Sequence, residues 1–405
     1  MKKIGIVTFW SERGAAYVSR QYKDLLSEQH DVFIYARGWE YAEGDPEWDR
    51  PEVTWGKNSH LPVNSAIDKN DFTKWIQKNN IDIVFFNEQQ WWPPIYWCHQ
   101  MGLLTGAYID YYTEATVPLF RNYDFLICNT KRHYQAFDWH PQAHYIPWGT
   151  DTKLFTPQHP DPVTPGKITF FQSCGFSPKR KGTDFIIKAF AQLKTDEAQL
   201  VIHTQKSLTS TLPDLKQTIT QLEATGKLTT IEQTVPIPGL YHLGDVYLAP
   251  SRLEGIGLPT AEALACGLPV ITVDNPPMNE FVDETSGQLA AIELLFARQD
   301  GYYWPQCRPS ISSLTECMQY YVDRKDNIKN LKVAARQHAV KRLNWKDRSE
   351  TLNEIFTNIQ PLDKPANSLQ DIERYERQKS GIRYKLASRY PFWYKSMERL
   401  TKGFF

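Results

Sequence analysis

Short apolar runs alternate with stretches whose apolar positions recur every three or four residues. In the first third, residues 4–9, 32–36, 81–86, 105–109 and 125–128 read as strands, and 17–26 as a helix. A second series begins near residue 167. Strands are predicted over 167–172, 199–203, 228–232, 245–249 and 269–273, and helices over 184–193, 212–223 and 259–265. Strands separated by helices argue parallel sheets covered by helices. Residues 159–166, rich in proline and without periodicity, read as a linker. The predicted organisation is an α/β chain with one doubly wound domain over 1–158, another over 167–357 and a helical tail over 358–405. In open sheets of this kind, ligands sit beyond the carboxyl ends of the strands.

Composition narrows the function classes. Lys plus Arg and Asp plus Glu are both 46 of 405 residues. That balance carries no signature of a nucleic-acid partner. The six cysteines form no C-x-x-C pair and no zinc-ligand spacing, so they read as reduced thiols of a cytoplasmic protein. The amino-terminal strand runs straight into Ser11-Glu12-Arg13, unlike a secretory leader. No run is long and apolar enough to span a bilayer.

The chemistry concentrates in Arg252-Leu253-Glu254-Gly255-Ile256-Gly257-Leu258-Pro259-Thr260-Ala261-Glu262-Ala263-Leu264-Ala265-Cys266-Gly267. This is a glycine-rich turn opening a short helix. Pro259 suits the first helical position and Gly267 the cap. Free N–H groups at a helix start attract phosphate, so Gly255, Ile256, Gly257, Leu258 and Thr260 are candidate diphosphate binders. Glu254 and Glu262 flank this anion site. A carboxylate repels a diphosphate, so Glu254 is expected to meet sugar hydroxyls and Glu262, in the first helical turn, a ribose. The plain alternative is a solvated loop acid and a helix-terminal acid.

The string resembles the E-x7-E signature of retaining glycosyltransferases of family 4. Three further segments agree: 145–157 resembles the family's domain junction, Gly175-Phe176-Ser177-Pro178-Lys179-Arg180-Lys181-Gly182 its phosphate loop, and 275–287 the segment after the second motif strand. The resemblance implies a GT-B fold, two Rossmann-like domains facing across a cleft. It implies transfer of a sugar, with retention, from a nucleotide-sugar donor to a saccharide or lipid-linked acceptor. By the same resemblance Lys181 holds the donor diphosphate and acts in catalysis with Glu254. Phe176 occupies the family's arginine slot, and Arg180 is the candidate replacement. Val235 is a candidate for the nucleobase pocket, and Gly14 for close approach to the phosphates. No D-x-D motif occurs, so neither a metal nor another cofactor is expected. Two other readings fit the architecture, a sugar-nucleotide epimerase and a catalytically silent sugar-binding subunit.

The first domain should face the acceptor. Glu88, Trp91 and Trp92 follow one predicted strand, and Asp110 and Tyr111 another. Carboxylates suit sugar hydroxyls and indoles suit ring faces, although a Trp pair also suits a core. Asp110 stands where many relatives carry histidine, and is a candidate catalytic residue or a loop cap. In the tail, Ile382, Leu386, Tyr390, Trp393, Met397, Leu400 and Phe404 form one apolar stripe. Seven basic residues between Lys379 and Phe405 stand against the single acid Glu398. Such a segment suits an anionic membrane surface on the cytoplasmic face, or packing on the first domain.

Overall fold

The computed structural model describes residues 1–37, 42–59, 61, 63, 65–158 and 161–379. The tail stripe from Ile382 to Phe404 lies outside the described residues. The chain forms two compact units. One comprises Met1–Asn129, His133–Ile146 and the segment from Arg348 onward; the other comprises Thr130–Arg132 and Pro147–Asp347.

The first unit is built on seven parallel strands: β1 (Lys3–Thr8), β2 (Asp31–Ala36), β3 (Val53–Trp55), β4 (Ile83–Phe86), β5 (Leu104–Tyr108), β6 (Phe125–Cys128) and β7 (Ala143–Tyr145). Their order is β3-β2-β1-β4-β5-β6-β7, so the chain winds outward both ways from β1. Ile4, Ile6, Ile83, Phe85, Phe125 and Ile127 are at most 1% exposed. These near-continuous apolar runs are what a sheet covered on both faces requires. Helix Gly14–Leu26 follows β1 and begins three residues before the predicted helix. β3 and β7, three residues each, are too short to show a period and were not predicted.

The second unit repeats the plan with six parallel strands: β8 (Ile168–Gly175), β9 (Ala198–Thr204), β10 (Leu228–Glu232), β11 (Val246–Ala249), β12 (Val270–Val273) and β13 (Gly287–Ala290). Their order is β10-β9-β8-β11-β12-β13. The predicted helix over 212–223 splits at Pro213 into a 3₁₀ turn, Pro213–Leu215, and a helix, Lys216–Ala224. An antiparallel pair, β14 (Ile292–Phe296) and β15 (Gln306–Pro309), was also not predicted.

Both domain boundaries move from their expected places. Residues 147–158 belong to the second unit. Trp148 packs at a tilt on Trp345 with centroids 4.5 Å apart, and Thr150 exchanges backbone hydrogen bonds with Leu343 and Trp345 at 2.6 and 2.9 Å. The Arg336 guanidinium adds bonds to the carbonyls of Thr152 and Phe155 at 2.8 and 2.9 Å. Helix Ser349–Asn358 packs with the first unit instead. Phe356 meets Phe85 and Phe125 edge-on at 5.3 and 5.0 Å, and Asn353 donates to the Leu25 carbonyl at 3.1 Å.

Candidate functional site

In the second unit two loops at the carboxyl ends of β8 and β11 meet. The first runs from Gly175 to Gly182 and the second from Ser251 to Gly257. The Arg252 N–H donates to the Arg180 carbonyl at 2.9 Å. Gly182 makes the closeness possible: a Cβ there would lie 2.0 Å from the Pro250 carbonyl oxygen, and its φ is +73°. Gln172 holds the first loop from below, donating to the Lys181 carbonyl at 2.9 Å and accepting from the Thr183 hydroxyl at 2.7 Å. Arg252 grips Asp184 with two bonds of 2.7 Å and lies over the Phe185 ring.

The structure brings Glu254, Lys181 and Arg180 together. The Glu254 carboxylate is 8% exposed. It accepts from Lys181 Nζ at 2.7 Å, from Ser251 Oγ at 2.6 Å and from Arg180 Nη1 at 2.8 Å. Burial pushes its pKa up, but Lys181 and Arg180 outweigh it and hold the carboxyl at about 2. Two cations against one carboxylate leave one net positive charge beside the helix start. Glu254 was expected to meet substrate hydroxyls alone; here it first serves as counter-ion to both bases. Ser251, its third partner, carried no signal in the sequence, because one serine before a motif is unremarkable.

Helix Leu258–Ala265 opens at Gly257, whose φ is +93°, and carries Pro259 at its second rather than its first position. It closes with a doubly bonded cap: Gly267 N–H to the Leu264 carbonyl at 3.0 Å and Leu268 N–H to the Ala263 carbonyl at 2.9 Å. Gly255 is exposed at the turn, while Ile256 and Thr260 are buried. Glu262 falls beyond the first turn, contrary to expectation, and is half-buried. It accepts from the Tyr241 hydroxyl. Burial raises its pKa, with Tyr241 and Lys181 opposing. A recess lined by Ser173, Lys181, Ser251, Glu254, Gly257 and Thr260 lies beneath these groups.

In the first unit, Gly14 is exposed at the start of the helix after β1. Glu88, Asp110 and Tyr111 are half-buried after β4 and β5. The Trp pair needs correction: Trp91 and Trp92 are 5% and 2% exposed. Trp91 meets Trp97 edge-on at 5.3 Å, and Trp92 packs on Phe120 and Tyr123 at 5.1 and 5.9 Å. Their ring faces fill the core and are not offered to a sugar. Arg37, which the sequence reading did not single out, follows β2. Its Nη2 donates to the backbone carbonyls of Asn87 and Glu88.

Residues 167–300 match the family model described as glycosyl transferases group 1. The matched stretch lies within the second unit. A curated relative is the GDP-mannose-dependent monoacylated alpha-(1-6)-phosphatidylinositol monomannoside mannosyltransferase of Corynebacterium glutamicum. It is 30% identical over 175 residues, which cover 39% of this chain and 45% of the relative. The match thus spans less than half of that protein's length. Among solved structures, a glycosyltransferase from Rickettsia africae superposes with a TM-score of 0.70 at 16% identity, covering 88% of this chain and 99% of the other. Anabaena HepE in complex with UDP-glucose gives 0.68 at 15%, covering 88% and 100%. At such identities the likeness concerns the fold, which is GT-B.

Within the matched stretch, one feature departs from the motif. Phe176, in the arginine slot, is 64% exposed, with Lys206 Nζ 6.0 Å from its ring centre. His203 lies near the carboxyl end of β9. Its Nε2 donates to the Gln233 carbonyl at 2.9 Å, which leaves Nδ1 to accept from the Ser173 hydroxyl at 2.9 Å. Val235 is half-buried in the loop after β10. Among the described residues, no three His, Cys, Asp or Glu side chains gather as metal ligands would, and no helix is long and apolar enough to cross a membrane.

Proposed function

We propose that this chain is a retaining, metal-independent glycosyltransferase, moving a sugar from a nucleoside-diphosphate donor to a saccharide or lipid-linked acceptor. The observation that carries this is the convergence of Lys181 and Arg180 on Glu254 at the mouth of the Gly257 helix start. Cations beside a helix start suit a departing diphosphate, whose charge grows as the glycosidic bond breaks. Positive potential from the chain itself takes the part that a D-x-D-bound metal plays elsewhere. Glu254 keeps the two bases in register until the donor arrives. Its carboxylate then has the sugar hydroxyls within its reach, and Glu262 has the ribose. The acceptor attacks the face that the diphosphate leaves, and a diphosphate oxygen takes the acceptor proton. No covalent nucleophile is required.

The matched relative named above uses GDP-mannose and a phosphatidylinositol mannoside. That supports a lipid-linked acceptor for this chain, and with it a place at the cytoplasmic membrane surface. The test is incubation of the purified protein with a panel of nucleotide sugars. Release of nucleoside diphosphate with formation of a glycoside of retained anomeric configuration is the expected result. An epimerised donor, binding without turnover, or dependence on an added divalent metal would each overturn a stated part of the reading.

A further inference from the structure

Arg252 bridges the two donor loops with both its backbone and its side chain. The backbone is pinned on two sides: its N–H donates to the Arg180 carbonyl at 2.9 Å, and its carbonyl accepts from the Cys307 N–H of β15 at 2.9 Å. The side chain crosses to the other loop. Nη1 donates to the Lys179 carbonyl and, at 2.7 Å, to Asp184 Oδ1; Nη2 donates to Asp184 Oδ2 at 2.7 Å. The guanidinium carbon lies 3.9 Å from the centre of the Phe185 ring. Asp184 sits in the first turn of the helix Thr183–Phe190, where the helix dipole favours a carboxylate. The two side chains are each 13% exposed, so the pair is shielded from solvent and holds more firmly than a surface ion pair.

Three consecutive carbonyls of the phosphate loop are thereby held. Arg252 takes Lys179 with its side chain and Arg180 with its N–H, and Gln172 takes Lys181. Planar peptides held at successive carbonyls leave little freedom in the dihedrals that aim the side chains between them. Those side chains are Arg180 and Lys181, whose Nη1 and Nζ reach Glu254 at 2.8 and 2.7 Å. Arg252 itself is not a third cation for the diphosphate. Asp184 matches its charge and both Nη1 protons are spent, whereas Lys181 and Arg180 share one carboxylate. Lysine could not take its place, because a flexible ammonium cannot form a planar fork onto a carboxylate while covering a ring.

We propose that Arg252 is a positioning residue for the donor diphosphate: by clamping Asp184 and the Lys179 carbonyl it aims Lys181 and Arg180 at the phosphates without touching them itself. This rests on the reading of those two bases as the cations of the diphosphate site. Arg252 therefore acts through them, and most of its effect disappears once Lys181 is gone.

Calorimetry with UDP, GDP and pyrophosphate on the full-length protein tests the clamp without turnover. Arg252→Lys and Asp184→Glu keep every charge and alter only the fork, so any change in affinity reports geometry. Each should weaken binding about tenfold, the lower end of what losing one charge-assisted contact costs, with the number of sites unchanged. A merely structural role would instead lower the number of sites, because part of the protein is unfolded, and leave the affinity of the rest alone. In a Lys181→Ala background, Arg252→Lys should cost much less than it does alone. Wild-type affinity in both variants, fewer sites at wild-type affinity, or full additivity with Lys181→Ala each overturns the proposal. Should Arg252→Lys fail to fold, Asp184→Glu decides by the same cycle. Sugar transfer from a nucleotide-sugar panel separates the proposal from the functional reading. If wild type binds through Lys181 and the cycle is sub-additive, but no sugar is transferred, the glycosyltransferase reading falls and the positioning stands. If sugar is transferred and the cycle is additive, the positioning falls and the reading stands. Binding of none of the three probes by wild type overturns the positioning.

Discussion

Glu254 sits between two cations, and this changes what its removal does. Glu254→Gln frees Lys181 and Arg180 from their counter-ion, so affinity for a free nucleoside diphosphate should hold or rise while turnover falls. Calorimetry with the nucleotide and steady-state rates read the two separately; a parallel loss of both would return Glu254 to a structural part. Lys181→Ala removes one charge-assisted contact, about 1.5–3 kcal/mol or roughly ten- to a hundred-fold in kcat/KM. An unchanged kcat/KM would remove Lys181 from the diphosphate site. The low pKa of Glu254 also has a sign. Its folded value of about 2 lies below the ordinary carboxylate value of about 4.3. The stability it contributes is therefore complete above that ordinary value and fades as pH falls towards about 2. Urea midpoints of wild type and Glu254→Gln should differ more at neutral pH than in acid. Convergence of the two only above neutrality would contradict the assignment.

Among local elements, the two glycine loops differ in what they tolerate. Gly182 combines positive φ with the Pro250 carbonyl 2.0 Å from any Cβ, and the neighbouring Lys181 depends on its backbone path. Gly182→Ala should cost more than about 1 kcal/mol and lower activity with it. Gly255 has no atom within 4 Å of a built Cβ. Gly255→Ala should keep the wild-type melting temperature and report only on ligand approach. Thermal unfolding of both variants checks the pair, and equal losses would mean that the Pro250 contact does not set the loop. The Trp pair teaches the same lesson from the other side. The residues after β4 had the composition of a sugar platform, yet the indoles turn inward because Phe120, Tyr123 and Trp97 offer them a core. Composition cannot distinguish those outcomes, since an aromatic face suits both.

For the chain as a whole, the helix Ser349–Asn358 decides where the carboxyl-terminal segment belongs. Phe356 is fully buried between Phe85 and Phe125 of the first unit. Phe356→Ala should destabilise by about 3–5 kcal/mol. Hydrogen exchange should show the loss in β4 and β6; a loss confined to the second unit would reverse the grouping. The tail from Lys379 onward, an apolar stripe among basic residues, is the candidate for membrane contact, at about 1 kcal/mol for each basic group near an anionic surface. Full-length protein should float with anionic liposomes in a salt-sensitive way, and a chain ending at Lys379 should not. If the shortened chain floats equally well, the stripe plays no part in attachment.

Local order and chemistry were legible wherever neighbours in sequence do the work. The alternating runs foretold ten of the parallel strands, because buried strands need continuous apolar residues. The string from Arg252 to Gly267 foretold a turn, a helix start and its cap, because each depends on residues only a few positions apart. What the tertiary structure alone decided involves partners far apart in the chain. Glu254 meets Lys181 and Arg180 across 73 and 74 positions, Tyr241 reaches Glu262, and Arg37 reaches the carbonyl of Glu88. No periodicity links such positions; only the winding of a parallel sheet, which gathers the carboxyl ends of distant strands along one edge, brings them into contact.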